Sequence, residues 1–197
     1  WPHRLIAKCI ALDPSKGRAD KPGDWQAHVW GGLDANGIVW VDAEFRREPV
    51  GEMVSRNIAH CRALQGIGGP AAAGALVVET NIFGDLLREE FDRQARESSA
   101  GGGVLPLCPV ENYEPKPVRI RKADGPLSRS QIRVRNTLGG RELVAQWRDF
   151  PTGAHDDGPD CFSMLLEKLQ TLTRNTAPQT GTHETSAIGY DLLRTSF

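Results

Sequence analysis

The sequence predicts an α/β domain in which one mixed sheet is flanked by helices. Three observations lead to this class: an opening meander of strand-like runs, helical segments between the later runs, and prolines and glycines at the boundaries. Strands joined by short turns pair antiparallel, whereas strands entered through a helical crossover pair parallel. We therefore expect three antiparallel strands first and parallel strands after them.

The first three strands lie in the first 45 residues. Residues 5–12 form a mostly apolar run, which is typical of a central strand and places Asp13 at its carboxyl end. Residues 25–31 and 38–45 alternate apolar and polar side chains, and an Asn-Gly pair stands between them. Asn-Gly between two such runs predicts a β-hairpin.

Helices and strands alternate in the next part of the chain. Residues 49–64 carry apolar side chains at helical spacing, and a Gly- and Pro-rich stretch ends the segment. Residues 75–78 are a second buried-strand run, and Glu79 follows them directly. Residues 83–95 predict an amphipathic helix. Its apolar face comprises Phe83, Leu86, Leu87 and Phe91.

Shorter sequence patterns predict the remaining strands and helices. Residues 104–110 favour an edge strand, because their two prolines remove ladder hydrogen bonds. Residues 131–134 are a short strand candidate, and residues 141–150 and 157–171 predict helices.

The two ends of the chain differ in character. Residues 173–197 are rich in Thr and other polar residues and predict a flexible tail, which leaves residues 1–172 as the folded domain. The chain begins at Trp1 without an initiator methionine, so we expect it to be a piece of a longer polypeptide.

Composition excludes several classes of protein. No apolar run approaches the roughly 20 residues that cross a bilayer, which predicts a soluble protein without membrane contact. The four cysteines are scattered and form no CxxC pair, which argues against a zinc site and a disulfide framework. We expect free thiols in a reducing cytoplasm.

Acidic residues follow two of the predicted strands and lie at the start of the last predicted helix. Asp13 and Glu79 each follow a buried strand, and Asp156, Asp157 and Asp160 crowd the start of the last helix. Acids at a helix start stabilise its dipole and cap its free N–H groups, but capping needs only one of them. Like charges this close repel each other unless a cation binds between them. From this stretch alone, capping and metal binding both stay open.

Parallel pairing would bring these acids together. If the strands before Asp13 and Glu79 are parallel neighbours, their carboxylates meet at one sheet edge, and the last helix can bring its own acids opposite them. Oxygen-only ligands suit Mg²⁺ or Mn²⁺. Two such ions about 4 Å apart can activate water and clamp a phosphodiester.

A basic strip spans residues 116–135, with one acid, Asp124, against seven cations. The cations are Lys116, Arg119, Arg121, Lys122, Arg129, Arg133 and Arg135. An ordinary solvated surface would explain the strip, but this excess of positive charge favours contact with phosphates. Such contacts predict low sequence specificity and steep salt dependence.

Three segments resemble the acidic motifs of the nuclease domain of phage terminase large subunits. They are residues 12–17 (LDPSKG) with Gly23 and Asp24, residues 77–81 (VVETN), and residues 150–160 (FPTGAHDDGPD). The resemblance covers roughly residues 6–169, and the last motif is the most specific. It implies the ribonuclease H-like fold, which Holliday-junction resolvases share.

The resemblance also implies a function. Such domains are metal-dependent endonucleases that cut concatemeric viral DNA during packaging, by two-metal phosphodiester hydrolysis with low sequence specificity. It implies double-stranded DNA as substrate, an ATPase domain earlier in the polypeptide, the portal and the small terminase subunit as partners, and the cytoplasm of a bacterial host as location. No GxxxxGK[ST] phosphate loop occurs in this chain, so the motor is not part of it.

Carried over by position, the resemblance assigns roles to the acids. Asp13 would bridge both metals, Glu79 would bind one, and Asp157 would complete the set. Asp156 competes with Asp157 for that place, because the register at a helix start is uncertain by one residue. Asp160 is either a fourth ligand or an outer hydrogen-bond acceptor.

The same stretches contain candidate contacts to DNA. These are Lys116, Arg119, Arg121, Lys122 and Lys16, with Ser15 beside the last of them. Asp24 matches a family position but is also explained as a solvated loop carboxylate. His155 could orient water or phosphate, although a histidine beside acids is more often their hydrogen-bonded neighbour.

Three other functions stay open. A resolvase or transposase of the same fold would prefer branched DNA. A non-catalytic domain could use the acids as helix caps and the basic strip to hold DNA or the portal. A calcium loop at Asp13, Asp20 and Asp24 fits poorly, because the EF-hand spacing and its closing Glu are missing.

Overall fold

The computed structural model describes residues 1–2, 4–14, 25–67, 73–80, 84–97 and 106–176. Within these ranges the chain forms a single six-stranded sheet covered by helices on both faces. The strands are β1 (Ala7–Asp13), β2 (Gln26–Leu33), β3 (Val39–Arg46), β4 (Ala73–Glu79), β5 (Leu107–Val110) and β6 (Ile132–Val134).

The sheet has the mixed topology that the sequence predicts. Its strand order is β5-β4-β1-β2-β3-β6. The meander β1-β2-β3 is antiparallel, whereas β4 pairs parallel with β1, β5 with β4, and β6 with β3. The proline-containing strand β5 lies at an edge, as expected from its missing donors.

Six helices occur in the described residues. They are α1 (Val50–Gln65), α2 (Gly84–Glu97), α3 (Lys116–Arg121), α4 (Asp124–Ser128), α5 (Leu138–Asp149) and α6 (Asp157–Thr176). Helices α3 and α4 are not predicted from the sequence, because both are short and rich in polar residues. Helix α6 runs to Thr176, beyond the predicted end at residue 171. Residues 177–197 lie outside the described part, so the flexible tail stays a prediction.

The two faces of the sheet carry separate cores. Cys9 and Ala11 of β1 pack in the core beneath α5 and α6, whereas Ile10 and Leu12 pack in the core beneath α1 and α2. Side chains of a strand alternate between faces, so Asp13, two residues after Ala11, is directed to the α6 side. The groups that interact with the Asp13 carboxylate are therefore expected on the α6 side of the sheet.

The predicted apolar face of α2 needs one correction. Leu87 and Phe91 are buried against the sheet, but Leu86 is 62% exposed. A helix advances about 100° per residue, so neighbouring leucines cannot both point at the centre of the core. Phe83, the fourth residue of the predicted face, lies outside the described residues.

Helix α5 approaches β3 so closely that only glycine fits at the contact. A Cβ atom on Gly139 would lie 1.7 Å from the carbonyl oxygen of Ala43. Alanine is the better helix former by about 1 kcal/mol. This backbone contact outweighs that preference, because neither backbone can move without unpacking the helix.

We expect Gly139→Ala to destabilise the domain by roughly 2–4 kcal/mol, because the added methyl group must displace backbone. Urea unfolding would measure the change. Gly66→Ala is the matched control, since its added Cβ would lie at an ordinary 3.5 Å from the nearest atom, the carbonyl oxygen of Ala63. Unfolding free energies that rise in both variants would contradict the proposed contact.

Candidate metal centre

The acids of β1 and β4 meet at the carboxyl edge of the sheet. Leu12 of β1 stands opposite Val78 of β4 in a parallel pair, and Asp13 and Glu79 are the next residues of the two strands. Val77 lies in the α6-side core, so Glu79, two residues later, is directed to the same face as Asp13. Parallel pairing and alternation together place the two carboxylates side by side.

Helix α6 adds a third carboxylate from above the sheet. One carboxylate oxygen from each of Asp13, Glu79 and Asp160 lies within 4.8 Å of the other two. Asp160 belongs to the first turn of α6 and is only 3% exposed, because Cys161 and Leu165 anchor this side of the helix in the core. The three acids come from three elements that are distant in sequence.

Arg119 of α3 holds Asp160 in place through a forked ion pair. Its Nε donates to Oδ1 of Asp160 at 2.9 Å and its Nη2 to Oδ2 at 2.6 Å, while Nη1 donates to the carbonyl oxygen of Glu114 at 2.8 Å. A carboxylate oxygen has two lone pairs, so each oxygen of Asp160 keeps one for a metal. Arg119 therefore fixes the orientation of Asp160 and still leaves its carboxylate oxygens able to bind a metal.

Lys116, one helical turn before Arg119, contacts all three acids at the start of α6. Its ammonium nitrogen lies 2.7 Å from Oδ1 of Asp156, 3.8 Å from Oδ1 of Asp157 and 3.8 Å from Oδ2 of Asp160. Burial lowers the pKa of Lys116, but the hydrogen bond to Asp156 and the charges of the three acids raise it overall. The lysine is thus charged at neutral pH and bound by the acids.

The environment of Asp13 disfavours its negative charge. Burial raises the pKa of the carboxyl group most, Glu79 adds to the rise, Lys116 partly offsets it, and the resulting pKa is about 7. A hard divalent cation would remove this penalty by pairing with the carboxylate. The three oxygen donors and the unfavourable charge of Asp13 fit Mg²⁺ or Mn²⁺.

The loop before α6 is fixed against the start of β2. Nε1 of Trp25 donates to Nε2 of His155 at 3.4 Å, and the other ring nitrogen of His155 lies 3.8 Å from Asp157. The guanidinium of Arg47 lies over the Trp25 ring, 4.6 Å from its centroid. These contacts place His155 beside Asp157, with its hydrogen bond made to Trp25, and its role stays a prediction.

The structure brings together some predicted site residues and separates others. Asp13 and Glu79 meet as expected, and the third member of their group is Asp160, whereas Asp156 and Asp157 contact Lys116. The choice of Asp157 or Asp156 as third ligand stays a prediction. Lys16, Ser15, Asp20 and Asp24 lie outside the described residues.

The cations of the basic strip do not form one continuous patch. Arg121 and Lys122 are exposed on and just after α3, and Lys122 pairs with Glu114 and Glu167. Successive strand pairings, however, align Arg133 of β6 with Lys8 of β1, which lies five residues before Asp13. Arg133 is therefore displaced from Asp13 by roughly 16 Å along the strand direction. The basic strip thus extends from the metal centre toward the far end of the sheet.

The free thiols predicted from cysteine spacing are confirmed. All four cysteines are free, and Cys9, Cys61 and Cys161 are buried. Burial raises the pKa of the Cys161 thiol, and the charge of Asp13 raises it further. In the described part of the chain, no helix combines the length and hydrophobicity needed to span a bilayer.

Comparison with known proteins identifies the fold. No protein-family model and no curated protein sequence matches the chain. The nuclease domain of human cytomegalovirus terminase matches its structure with a TM-score of 0.62 and 12% identity, over 84% of this chain and 85% of that one. The chain has the fold of a terminase nuclease domain. The ribonuclease H-like fold expected from the three motifs is thereby confirmed.

Two further structures resemble this one. A manganese-soaked, inhibitor-bound form of the cytomegalovirus domain gives a TM-score of 0.60 at 11% identity, over 85% of this chain and 84% of that one. A yeast mitochondrial Holliday-junction resolvase gives 0.49 at 8% identity, over 89% and 83% of the two chains.

Two site contacts were missed from the sequence, namely the pairs that Arg119 and Lys116 make with acids of α6. The sequence alone predicts phosphate contact for both cations. The sequence does indicate that Lys116 and Arg119 share a helix face, because Pro115 and Pro117 are typical of a helix start and residues three apart lie on one face of a helix.

Replacing Asp13 tests the burial of its charge. The folded-state pKa of about 7 lies above the ordinary value near 4, so the metal-free domain loses stability as pH rises from about 4 to 7. In Asp13→Asn this loss disappears, and we expect its unfolding free energy at pH 8 in EDTA to exceed that of wild type by roughly 1–3 kcal/mol.

Asp34 provides the opposite control. Burial raises its pKa, but hydrogen bonds from Trp40 and from the backbone of Ile38 and Asn36 lower it overall. Asp34→Asn should therefore lose stability at pH 8. Urea unfolding of the three proteins at pH 5 and pH 8 checks both signs, and an Asp13→Asn domain less stable than wild type at pH 8 would show that the buried charge of Asp13 does not destabilise the fold.

Proposed function

We propose that this chain is a divalent-metal-dependent DNA endonuclease domain. The observation that carries the proposal is the meeting of Asp13, Glu79 and Asp160 at the carboxyl edge of the sheet. The fold shared with a terminase nuclease domain supports this reading of the acids. Helix capping explains it less well, because Asp13 and Glu79 end strands rather than begin helices.

The residues of the chain would divide the work at the metal centre. Asp13 and Glu79 would bind one cation, and Asp160, held by Arg119, would bind it from the opposite side. Asp156 and Asp157 would offer oxygens to a second cation beside the first. Bound Mg²⁺ or Mn²⁺ would supply a water of lowered pKa and stabilise the charge on the leaving oxygen.

The surface next to the acids would bind the substrate. Arg121 and Lys122 are exposed near the metal centre, and Arg129 and Arg133 are exposed farther along the strip. Arginine and lysine side chains hold phosphates irrespective of the bases. We infer that the substrate is double-stranded DNA, contacted with low sequence specificity and released by salt.

The three motifs and the fold support a more specific biological role. We infer that the chain is the nuclease domain of a phage terminase large subunit, which cuts concatemeric DNA during genome packaging. In that role an ATPase domain precedes it in the polypeptide. Its other partners are the portal and the small terminase subunit, and its location is the cytoplasm of a bacterial host.

Cleavage of supercoiled plasmid tests the nuclease activity. We expect nicked and linear products with Mg²⁺ or Mn²⁺ and none in EDTA, because the acids need a cation to act on a phosphodiester. Asp13→Asn and Glu79→Gln should lower the rate at least about 100-fold by removing metal ligands. Asp85→Asn is the control, since Asp85 is exposed on α2 at the other face of the sheet.

Two other outcomes would change the conclusion. A folded wild-type domain that neither cleaves DNA nor binds any divalent ion would favour the non-catalytic docking domain. A strong preference for a four-way junction over linear duplex in the same assay would favour the resolvase alternative.

The affinity for Mn²⁺ should depend on pH in one direction. Metal binding requires the Asp13 carboxylate, whose pKa is about 7 without metal. We expect the association constant to fall about tenfold per pH unit below 7 and to level off above 8. Calorimetric titrations between pH 5.5 and 8.5 would measure this, and a flat profile would contradict the role of Asp13 as a ligand.

A further inference from the structure

Lys116 occupies a place in the acidic group that resembles a cation position. Its ammonium lies between Asp156, Asp157 and Asp160, at 2.7, 3.8 and 3.8 Å from one oxygen of each. Asp160 also belongs to the neighbouring group formed with Asp13 and Glu79. The acidic centre therefore has two halves that share Asp160, and Lys116 fills one of them.

The two cations of α3 are held very differently. Arg119 is 11% exposed at its side chain and donates three hydrogen bonds, two to Asp160 and one to the backbone of Glu114. Lys116 is 34% exposed, and its nearest partner, Asp156, is 40% exposed. A lysine ammonium on a flexible stem is a mobile point charge, whereas the arginine fork is fixed by its geometry. Lys116 is thus the cation that can leave.

Charge balance links the departure of Lys116 to metal loading. With every carboxyl ionised, five carboxylates against two cations leave a formal charge of −3. Two divalent ions would make the centre positive while Lys116 stays. They would neutralise it once Lys116 has moved away and Arg119 has remained. With only one divalent ion bound, in contrast, the centre stays negative even while Lys116 remains in place.

We propose that Lys116 is a built-in counter-ion that occupies the second cation position until a second divalent ion displaces it. This inference rests on the metal centre of the proposed function. The first ion binds Asp13, Glu79 and Asp160 with Lys116 in place. The second ion takes over Asp156 and Asp157 and competes directly with the ammonium group.

Metal titrations without DNA test the competition. Calorimetry and Mn²⁺ electron paramagnetic resonance would count bound ions in the wild type, Lys116→Met and Lys116→Arg. We expect wild type and Lys116→Arg to bind one ion and to bind a second at least tenfold more weakly. Lys116→Met, which keeps the length of the side chain without its charge, should bind the second ion at least tenfold more tightly than wild type.

Lys122→Met is the matched control for loss of a lysine near the site. The Lys122 ammonium pairs with Glu114 and Glu167 rather than with the acids of the metal centre. Its Mn²⁺ stoichiometry should equal that of wild type. Equal second-ion affinities in wild type and Lys116→Met would overturn the counter-ion role and leave the metal centre intact. Failure of all four proteins to bind any ion would overturn both proposals.

Thermal unfolding separates the counter-ion role from a purely structural one. In EDTA, Lys116→Met should melt below wild type, because Arg119 alone then balances the acids. Mn²⁺ should raise its melting temperature more than that of wild type and close the gap. A variant that folds only with Mn²⁺ would be the extreme form of this result. A deficit of equal size with and without Mn²⁺ would contradict the proposal.

Discussion

The parallel pairing of β1 and β4 is the constraint on which the rest of the site depends. It sets Leu12 opposite Val78, so the two acids that follow must share one edge of the sheet. Both strands are central and buried, which gives this edge little freedom to spread. The repulsion between Asp13 and Glu79 is therefore a consequence of the register and has to be offset by other parts of the chain.

Helix α3 provides part of that compensation. Helix α6 contributes further acids, but α3 brings Lys116 and Arg119 against them. The balance is incomplete, since the pKa of Asp13 stays near 7. A centre whose charge is only partly offset is less stable than a neutral core would be. This is a common property of sites that are built to bind an ion.

A second polar network stabilises the opposite face of the sheet. His28 of β2 is fully buried and shares a hydrogen bond with Asn57 of α1, while Arg56 pairs with Glu48 at 2.8 Å. Burial lowers the pKa of His28 to about 4, with the charge of His60 acting in the same direction. The imidazole is therefore neutral at physiological pH. The network anchors α1 to the strand that pairs with β1, and so it supports the edge that carries the acids.

Much of the fold followed from local patterns. The Asn-Gly turn between alternating runs predicted the hairpin of β2 and β3, and the prolines near residue 106 predicted an edge strand. Helices α3 and α4 were missed because their sequences carry no apolar periodicity. Both helices are stabilised by tertiary contacts, such as the burial of Ile120 and Ala123, that local sequence does not reveal.

The sequence by itself determined which residues could bind a cation, because carboxylates at strand ends and at a helix start are visible in the order of residues. Only the tertiary structure decided how they are grouped. Asp160 joins Asp13 and Glu79, while Asp156 and Asp157 pair with Lys116. The reason is physical: the rotation of α6 about its axis is set by the packing of Cys161 and Leu165 on the sheet. That packing depends on strands more than 80 residues away in the sequence.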